Sequence, residues 1–236
     1  MKPRQTFGNH VLIKLDKEND FIKLQNGTTL YIDTSFEPEK HATVTGEVIA
    51  LPSRLIYTGK PNIGMPWKTP MEVQKGDRVV VYYLSILNAL RKESYKAVVE
   101  GDDKYVFIQY QNIYALVREN RIIPVNGYCL IEPVENPEWT RLKYRMSKID
   151  LVPVKLTDKS NTEVVYGKVK YCGTPIDEYV DGYTDKGVNV SPGDIIVMRK
   201  ISDLPLEYDL HAKIDGGKKY WRVQRRKIFA VYAESV

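Results

Sequence analysis

The side chains that could perform catalysis or bind a metal are few and widely spaced. The sequence holds two cysteines, Cys129 and Cys172, and three histidines, His10, His41 and His211. Neither cysteine has another cysteine or a histidine at the short spacing of zinc sites, and no histidine stands in a hydrolase or metalloprotease motif. The sequence therefore predicts two reduced cysteines, no metal, no cofactor and no catalytic residue. We expect a protein that is not an enzyme.

A basic and aromatic stretch, KKYWRVQRRK at 218–227, is the other candidate for chemistry. Its cations could contact phosphates while Tyr220 and Trp221 stack on bases. The alternative is a strand with a charged outer face, whose Trp221 and Val223 point inward. The chain has 35 basic and 30 acidic residues, a net charge of +5, which is only a small excess for a nucleic-acid-binding protein. We therefore expect nucleic acid not to be the partner.

Length and composition are those of an ordinary folded protein. The chain has 236 residues, 43% hydrophobic and 28% charged, enough for one or two domains with their own cores. This composition excludes disordered, collagen-like and disulfide-scaffold proteins. No apolar run is long enough for a signal peptide or a membrane span. We expect a soluble protein in the cytoplasm, or in the host cell's cytoplasm if the source is viral.

The elements that must position any site are mostly strands. Short segments rich in β-branched and aromatic residues, bounded by turn formers, predict an all-β fold. They are 11–15, 46–51, 77–84, 105–110, 128–134, 166–172, 194–200 and 220–224. The best helix candidate is SILNALRKE at 85–93, with Ile86, Leu87 and Leu90 on one face.

The chain also repeats itself. KYVFIQYQNIYALV (104–117) aligns without gaps on KYWRVQRRKIFAVY (219–232), and VQKGDRVVV (73–81) aligns on VSPGDIIVM (190–198). TGEVIA (45–50) and HVLIKL (10–15) match YGKVKY (166–171) and YCLIEP (128–133) in the same order. Such a long period predicts a duplicated domain rather than a solenoid. In both copies Gly-Asp before a strand predicts a tight turn, with a positive φ at Gly and an Asp cap.

The order of these four blocks resembles GroES, the co-chaperonin that caps the GroEL chaperonin ring, in two tandem copies as in the double-domain co-chaperonins of plastids. The resemblance covers nearly the whole chain. It implies two tandem GroES-like, partly open β-barrels, over residues 1–119 and 120–236. It also implies a co-chaperonin that assists protein folding, binds an ATP- or ADP-bound GroEL-type chaperonin, and has no nucleotide chemistry of its own.

In this family a loop after the first strand carries a short apolar unit that docks on the chaperonin. By resemblance the two loops align as NGTTLYID (26–33) and SKIDLVPV (147–154). The first docking unit is then Thr28-Thr29-Leu30, or alternatively Leu30-Tyr31-Ile32. The second is Ile149-Asp150-Leu151, followed by Val152. The alternative is that both triplets are strand residues of a long hairpin that bind nothing.

The resemblance also bears on assembly. In the family the last strand of one subunit pairs with the first strand of the next, and the hairpin corresponding to 53–72 and 174–189 forms a roof. Only Arg118 to Arg121 separate the two copies, so the join fixes one such contact within the chain, and the ends, 1–15 and 228–236, are left to close a ring. The alternative function is a structural ring protein, for example a virion or assembly component, that keeps the fold without chaperonin binding.

Overall fold

The structure is a computed structural model that describes residue 3 and residues 5–17, 21–23, 27–31, 44–58, 64–91, 96–135, 164–199 and 220–232. Residues 21–23, 29–31, 164 and 199 are described by their backbone alone. The described chain is mostly β-sheet with little helix, which confirms the all-β class.

Sixteen strands and one α-helix make up the described chain. The strands of the first half are β1 His10–Leu15, β2 Phe21–Lys23, β3 Thr29–Tyr31, β4 Thr45–Ala50, β5 Trp67–Lys68, β6 Arg78–Val81, β7 Ala97–Glu100, β8 Asp103–Gln109 and β9 Ile113–Arg118. Those that follow are β10 Arg121–Pro124, β11 Tyr128–Val134, β12 Val164–Cys172, β13 Glu178–Tyr179, β14 Ile195–Arg199, β15 Trp221–Gln224 and β16 Ile228–Tyr232. The helix, α1, is Tyr83–Leu90.

Two large antiparallel sheets use the same strand order. The first runs β10-β9-β6-β4-β1-β8-β7 and the second β15-β11-β12-β14-β16. Read in the direction of the repeat, β9-β6-β4-β1-β8 corresponds strand for strand to β16-β14-β12-β11-β15. Short 3-10 turns, Tyr110–Asn112 and Arg225–Lys227, join the corresponding strands β8 to β9 and β15 to β16.

Register and irregularities are repeated as well. The β1–β4 pairing shifts between Leu12 and Ile13, and the β11–β12 pairing shifts at the matching Leu130 and Ile131. A second shift follows Val80 where β6 pairs with β9, and its counterpart follows Val197 where β14 pairs with β16. A bulge re-aims the strand that carries it, so the two sheets bend at equivalent places.

The Gly-Asp turns have the predicted geometry. Gly76 and Gly193 have φ values of +89° and +102°. The Asp77 carboxylate accepts a hydrogen bond from the Gln74 N–H at 2.6 Å, and Asp194 accepts one from the Ser191 N–H at 2.7 Å. The prediction of an Asp-capped turn with a left-handed glycine is therefore confirmed in both copies.

Two glycines in ordinary strand conformation mark close approaches between strands. A Cβ on Gly46 would lie 2.5 Å from Ile13 Cγ2 and 2.5 Å from the Lys14 carbonyl oxygen. A Cβ on the equivalent Gly167 would lie 2.5 Å from Ile131 Cδ1, with the next atoms of that side chain at 3.2 Å. The first contact includes backbone, whereas the second involves only a side chain.

Replacing these glycines by alanine is expected to have unequal costs. Gly46→Ala should lower the free energy of unfolding by about 1–3 kcal/mol, as overpacking does, because a carbonyl oxygen cannot yield. Gly167→Ala should cost less, and Ile131→Val should restore part of the loss because valine lacks Cδ1. Urea unfolding of the single and double variants measures this coupling. Equal rescue of Gly46→Ala by Ile13→Val would contradict the assignment, since valine keeps the Cγ2 atom.

The helix differs from its predicted bounds. It begins at Tyr83, inside the segment 77–84 predicted as strand, because Tyr82 is the N-cap residue and its carbonyl accepts a hydrogen bond from the Ser85 N–H at 2.9 Å. It ends at Leu90 rather than at residue 93. The buried face consists of Ile86 and Ala89, whereas Leu87 is partly exposed. No helix in the part of the chain that the structure describes has the length and apolar character needed to cross a membrane.

Each large sheet covers its own apolar core. The first core reaches beyond its sheet to Val125, Ile176 and Tyr179 in the second half of the sequence. Among the described residues, the buried members of the second core are Cys129, Ile131, Val169, Val190, Ile196, Met198 and Val223. Trp221 packs against this second core, as the strand interpretation of 218–227 predicts.

Candidate functional site

The first candidate docking segment lies in the connection between β1 and β4. Here β2 pairs antiparallel with β3, with Ile22 opposite Leu30 and Lys23 opposite Thr29. This hairpin is a separate two-stranded sheet, and within the described residues its strands pair with no strand of either large sheet. Thr28 is exposed at the entry to β3, Thr29, Leu30 and Tyr31 form that strand, and Ile32 lies outside the described residues. The backbone at 29–31 is thus a strand rather than an irregular loop.

The base of this connection is held by charge. Asp16 follows β1, and its Oδ2 accepts from Arg78 Nη2 at 2.5 Å and from the Thr45 hydroxyl. The Asp16 N–H also donates to the Thr45 carbonyl at 3.1 Å. The carboxylate therefore ties the end of β1 to β4 and β6. The connection that carries the β2–β3 hairpin starts after this anchor.

The second candidate segment, Ile149 to Val152, lies outside the described residues. The structure describes the strands on either side of it, β11 up to Val134 and β12 from Val164. Their pairing places Pro133 opposite Gly167, as Leu15 lies opposite Gly46 in the first half. The two connections therefore leave their sheets from equivalent strands.

The segments compared above with roof hairpins meet each other. Trp67 of β5 pairs with Tyr179 of β13, with ring centroids 6.1 Å apart in an edge-to-face arrangement. The Val180 N–H donates to the Pro66 carbonyl at 3.0 Å. Residues from 53–72 and 174–189 thus form one small sheet that links the two halves of the chain.

Asn126 stabilises from inside the small sheet of β5 and β13, which we call the joint. Its side chain is fully buried. Its Nδ2 donates to the carbonyls of Tyr110 and Ile113, both at 2.9 Å, and its Oδ1 accepts from Trp67 Nε1 at 3.1 Å. Its backbone N–H donates to Glu72 Oε2 at 3.0 Å. One amide therefore satisfies three buried polar groups, which would otherwise be costly.

Burial shifts the pKa of two carboxyl groups near the joint. Desolvation raises the pKa of Glu72, although the Asn126 N–H opposes that shift. Desolvation likewise raises the pKa of Asp185, which accepts from the Ile176 N–H and the Tyr179 hydroxyl, both at 3.1 Å. Each hydrogen-bonds backbone or tyrosine groups of the joint, so their positions indicate a structural role.

Two basic side chains of the 218–227 stretch, Arg222 and Arg225, interact with groups within the fold. Arg222 stacks 3.7 Å from the ring centre of Tyr114 and donates to the Tyr128 hydroxyl at 3.2 Å. Arg225 is 5% exposed. Because these cations are bound within the fold, the surface available to a phosphate backbone is smaller than the sequence indicates.

The join between the two copies is a tight hairpin. β9 and β10 are antiparallel, with Leu116 opposite Ile123. Glu119 and Asn120, the two residues between them, have φ values of 51° and 59°, typical of a two-residue type I′ turn. The strand that opens the second copy is therefore paired with the strand that closes the first.

The strand β16, which corresponds to β9, lies at the edge of its sheet. Val231 and Tyr232 are 36% and 50% exposed, whereas Leu116, the counterpart of Val231, is 1% exposed. At the other end of the chain Phe7 is 81% exposed. An edge strand with exposed apolar residues is a surface on which another strand can pair.

No group of three or more histidine, cysteine or acidic side chains that could hold a metal occurs among the described residues. The sequence did not single out Asn126 as a joint residue or Arg222 and Arg225 as internal cations. For Asn126 a signal was present, since Asn-Gly favours a left-handed turn and Asn126 has a φ of 57°. The two arginines carry no local sign of burial.

Compared with known proteins, the chain matches no family model and no curated protein.

Proposed function

We propose that this chain is a tandem GroES-like co-chaperonin that caps a GroEL-type chaperonin ring in the cytoplasm and assists protein folding. It consists of two partly open β-barrels, residues 1–119 and 120–236, and assembles into a ring through its strand edges. ATP or ADP is bound by the chaperonin partner. The co-chaperonin itself contributes no catalytic residue.

The observation that carries this proposal is the repeated sheet. Two five-strand sets share one order, and their register shifts fall at Leu12 and Leu130 and again at Val80 and Val197. In neither set are the two outermost strands paired with each other, which suits a barrel that is only partly closed. Unrelated β domains have no reason to share bulge positions, so the coincidence supports duplication of one barrel.

The β2–β3 hairpin supports the placement of the docking loop. It stands in the connection between β1 and β4, where the resemblance expects the docking loop, and it is not hydrogen-bonded to the large sheets. A short apolar strand such as Leu30-Tyr31 can present its side chains to a groove on a partner. The equivalent connection in the second copy contains Ile149-Asp150-Leu151.

The expected binding energies favour several weak loop contacts over one strong contact. Burying one aliphatic side chain contributes about 1.5–3 kcal/mol, and fixing a flexible residue costs about 1–2 kcal/mol. A single loop therefore binds weakly. Several loops on one ring raise the avidity by about two to four orders of magnitude, while each contact remains weak enough to release.

Aspartate at both Leu30 and Leu151 is expected to abolish capture by the chaperonin. The variants lose about 1.5–3 kcal/mol of apolar burial per loop, about tenfold or more in affinity for each, and the losses combine across the ring. The measurement is co-elution with a chaperonin double ring from the source organism on a sizing column, with ATP, with ADP and without nucleotide. The ring of the variant itself should keep its size.

The matched control places the same charge in the same two loops, as Asn26→Asp with Ser147→Asp, and should still co-elute. The single variants Leu30→Asp and Leu151→Asp show which loop contributes more. Capture that is unchanged in the double leucine variant would mean that the docking segments are elsewhere. Failure of the wild-type protein to co-elute in any nucleotide state would contradict the co-chaperonin proposal.

One observation favours a second function, a structural ring protein such as a virion or assembly component. The Thr29 to Tyr31 backbone is already paired with β2, as expected if this segment is a fixed hairpin that docks on nothing. This function predicts the same ring without nucleotide-dependent co-elution. The experiment above therefore separates the two proposals.

A further inference from the structure

We propose that Cys129 and Cys172 form a reversible redox site, in which a small disulfide of the glutathione class oxidises both thiols to one disulfide within the chain. The two residues lie far apart in the sequence, which predicts two independent reduced thiols. In the structure they are directly opposite each other on β11 and β12.

Backbone geometry places the pair at a favourable position for a bond. The Gly173 N–H donates to the Tyr128 carbonyl at 2.9 Å, so the next pair along, Cys129 with Cys172, is a non-hydrogen-bonded pair. Opposite Cα atoms at such positions are about 4.5 Å apart, within the range of about 4.4–6.8 Å that a disulfide spans. Bond formation therefore needs little backbone movement.

The two copies have different residue types at the positions of the two thiols and of Arg225. The residues corresponding to Cys129, Cys172 and Arg225 in the first copy are Val11, Leu51 and Tyr110, by the repeat alignment. Val11 and Tyr110 are fully buried in an apolar core. The second copy therefore has two thiols and a guanidinium where the first has apolar and aromatic packing.

Arg225 is a buried cation held by carbonyl groups. Its Nη2 donates to the Gly173 carbonyl at 2.8 Å and its Nη1 to the Val188 carbonyl at 3.1 Å. Its Nε is buried and has no hydrogen-bond partner within the described ranges. Carbonyl oxygens do not neutralise the positive charge. The Asp185 carboxyl and the Cys172 sulfur both lie within range of that charge, which favours their anionic forms.

The two thiols are unequal in ionisation and access. A hydrogen bond from Cys129 lowers the pKa of Cys172, and the Arg225 charge acts in the same direction. The same hydrogen bond, with burial, raises the pKa of Cys129. Cys172 is half-buried and Cys129 is buried. Cys172 is therefore the attacking thiolate and Cys129 the resolving thiol.

The reaction balances as two thiol–disulfide exchanges. The Cys172 thiolate attacks one sulfur of the small disulfide, whose S–S bond breaks, and the first small thiolate leaves and takes up a proton. The Cys129 sulfur then attacks the Cys172 sulfur of the mixed disulfide, whose S–S bond breaks. The second small thiolate leaves and takes up the proton that Cys129 loses. Two protein thiols are oxidised and the small disulfide is reduced to two thiols.

The test uses the full chain and oxidised glutathione. Fully reduced protein is incubated in its native state, quenched with acid, alkylated in denaturant and weighed intact. The expected product has no alkylated cysteine and no bound glutathione, runs as one chain, and regains both alkylation sites after dithiothreitol. A peptide map should show Cys129 joined to Cys172.

Single alanine variants separate the two roles, since buried cysteine packs as a small apolar residue and alanine retains that character. Cys129→Ala should accumulate a mixed disulfide of Cys172 with glutathione. In Cys172→Ala, the remaining thiol, Cys129, should react with oxidised glutathione about tenfold or more slowly than Cys172 does, because Cys129 is buried. Thermal unfolding of the reduced variants verifies that they fold.

Three results would overturn the proposal. The first is native wild-type protein that keeps both thiols under conditions that oxidise urea-unfolded protein. The second is accumulation of glutathione on Cys172 without the internal disulfide. The third is formation of disulfides only between chains.

Discussion

A chain with lysine at both Val231 and Tyr232 is expected to elute with the mass of a single chain, whereas the proposed assembly predicts that the wild-type protein elutes as a ring. Both residues lie on β16, the edge strand of the second sheet, and are exposed in the isolated chain. Edge strands are blocked by lysine, and ammonium groups buried in a dry strand interface cost several kcal/mol. We expect association to weaken by about a hundredfold or more. Light scattering on a sizing column measures the mass.

The first sheet provides a matched control. Val98 and Val99 are adjacent residues of β7, the edge strand of that sheet, and are 45% and 63% exposed. Lysine at these two positions adds the same charge to an edge of the same kind and should leave the assembly intact. If only this control dissociated, the result would place the subunit interface at β7 instead of β16. A wild-type protein that is monomeric throughout would contradict the ring.

Asn126→Ala is expected to lower the free energy of unfolding by about 3 kcal/mol or more. The variant leaves two carbonyls and the Trp67 indole N–H buried without their partner, and each such group costs about 1–3 kcal/mol. Alanine also disfavours the φ of 57° at this position. Because the joint connects both sheets, a second transition in the unfolding curve would show that the halves have become uncoupled. Urea unfolding monitored by tryptophan fluorescence measures both effects.

Glycine at the same position separates the two causes. Asn126→Gly permits the left-handed backbone but also lacks the amide, so it should remain destabilised by nearly as much as alanine. Asn120→Gly, in the exposed turn between β9 and β10, should change stability by only a few tenths of a kcal/mol. If Asn126→Gly were as stable as the wild type, the three hydrogen bonds would contribute nothing and the backbone conformation alone would explain the asparagine.

Eight of the sixteen described strands were predicted from local chemistry. Each segment predicted as a strand contains one, because alternation of apolar and polar residues with β-branched and aromatic types favours the extended backbone. The capped turns at Gly76-Asp77 and Gly193-Asp194 were also predictable, since the glycine conformation and the aspartate cap involve only neighbouring residues. The segment 77–84 was predicted wrongly at its end, since the strand ends at Val81 and α1 begins at Tyr83.

The candidate sites were less predictable. The two candidate docking segments were located by the family resemblance and by alignment of the two copies. The structure describes the backbone of one as a strand, so its function stays a prediction. The strength of the joint was missed because Asn126 acts on groups from three other parts of the chain. Arg222 in β15 and Arg225 in the 3-10 turn that follows were counted as surface charge, because the type of a basic residue carries no sign of the face it occupies.

Eight strands, the Gly-Asp turns and the order of the repeated blocks could be predicted from the amino-acid sequence, because each depends on residues that are near one another in the chain. The folded structure was needed to show that β5 pairs with β13, that Asn126 is buried between the halves, and that Cys129 faces Cys172. Each of these contacts joins residues separated by many others. Strand register and the packing of one half on the other bring these residues into contact. No local sequence pattern predicts such contacts.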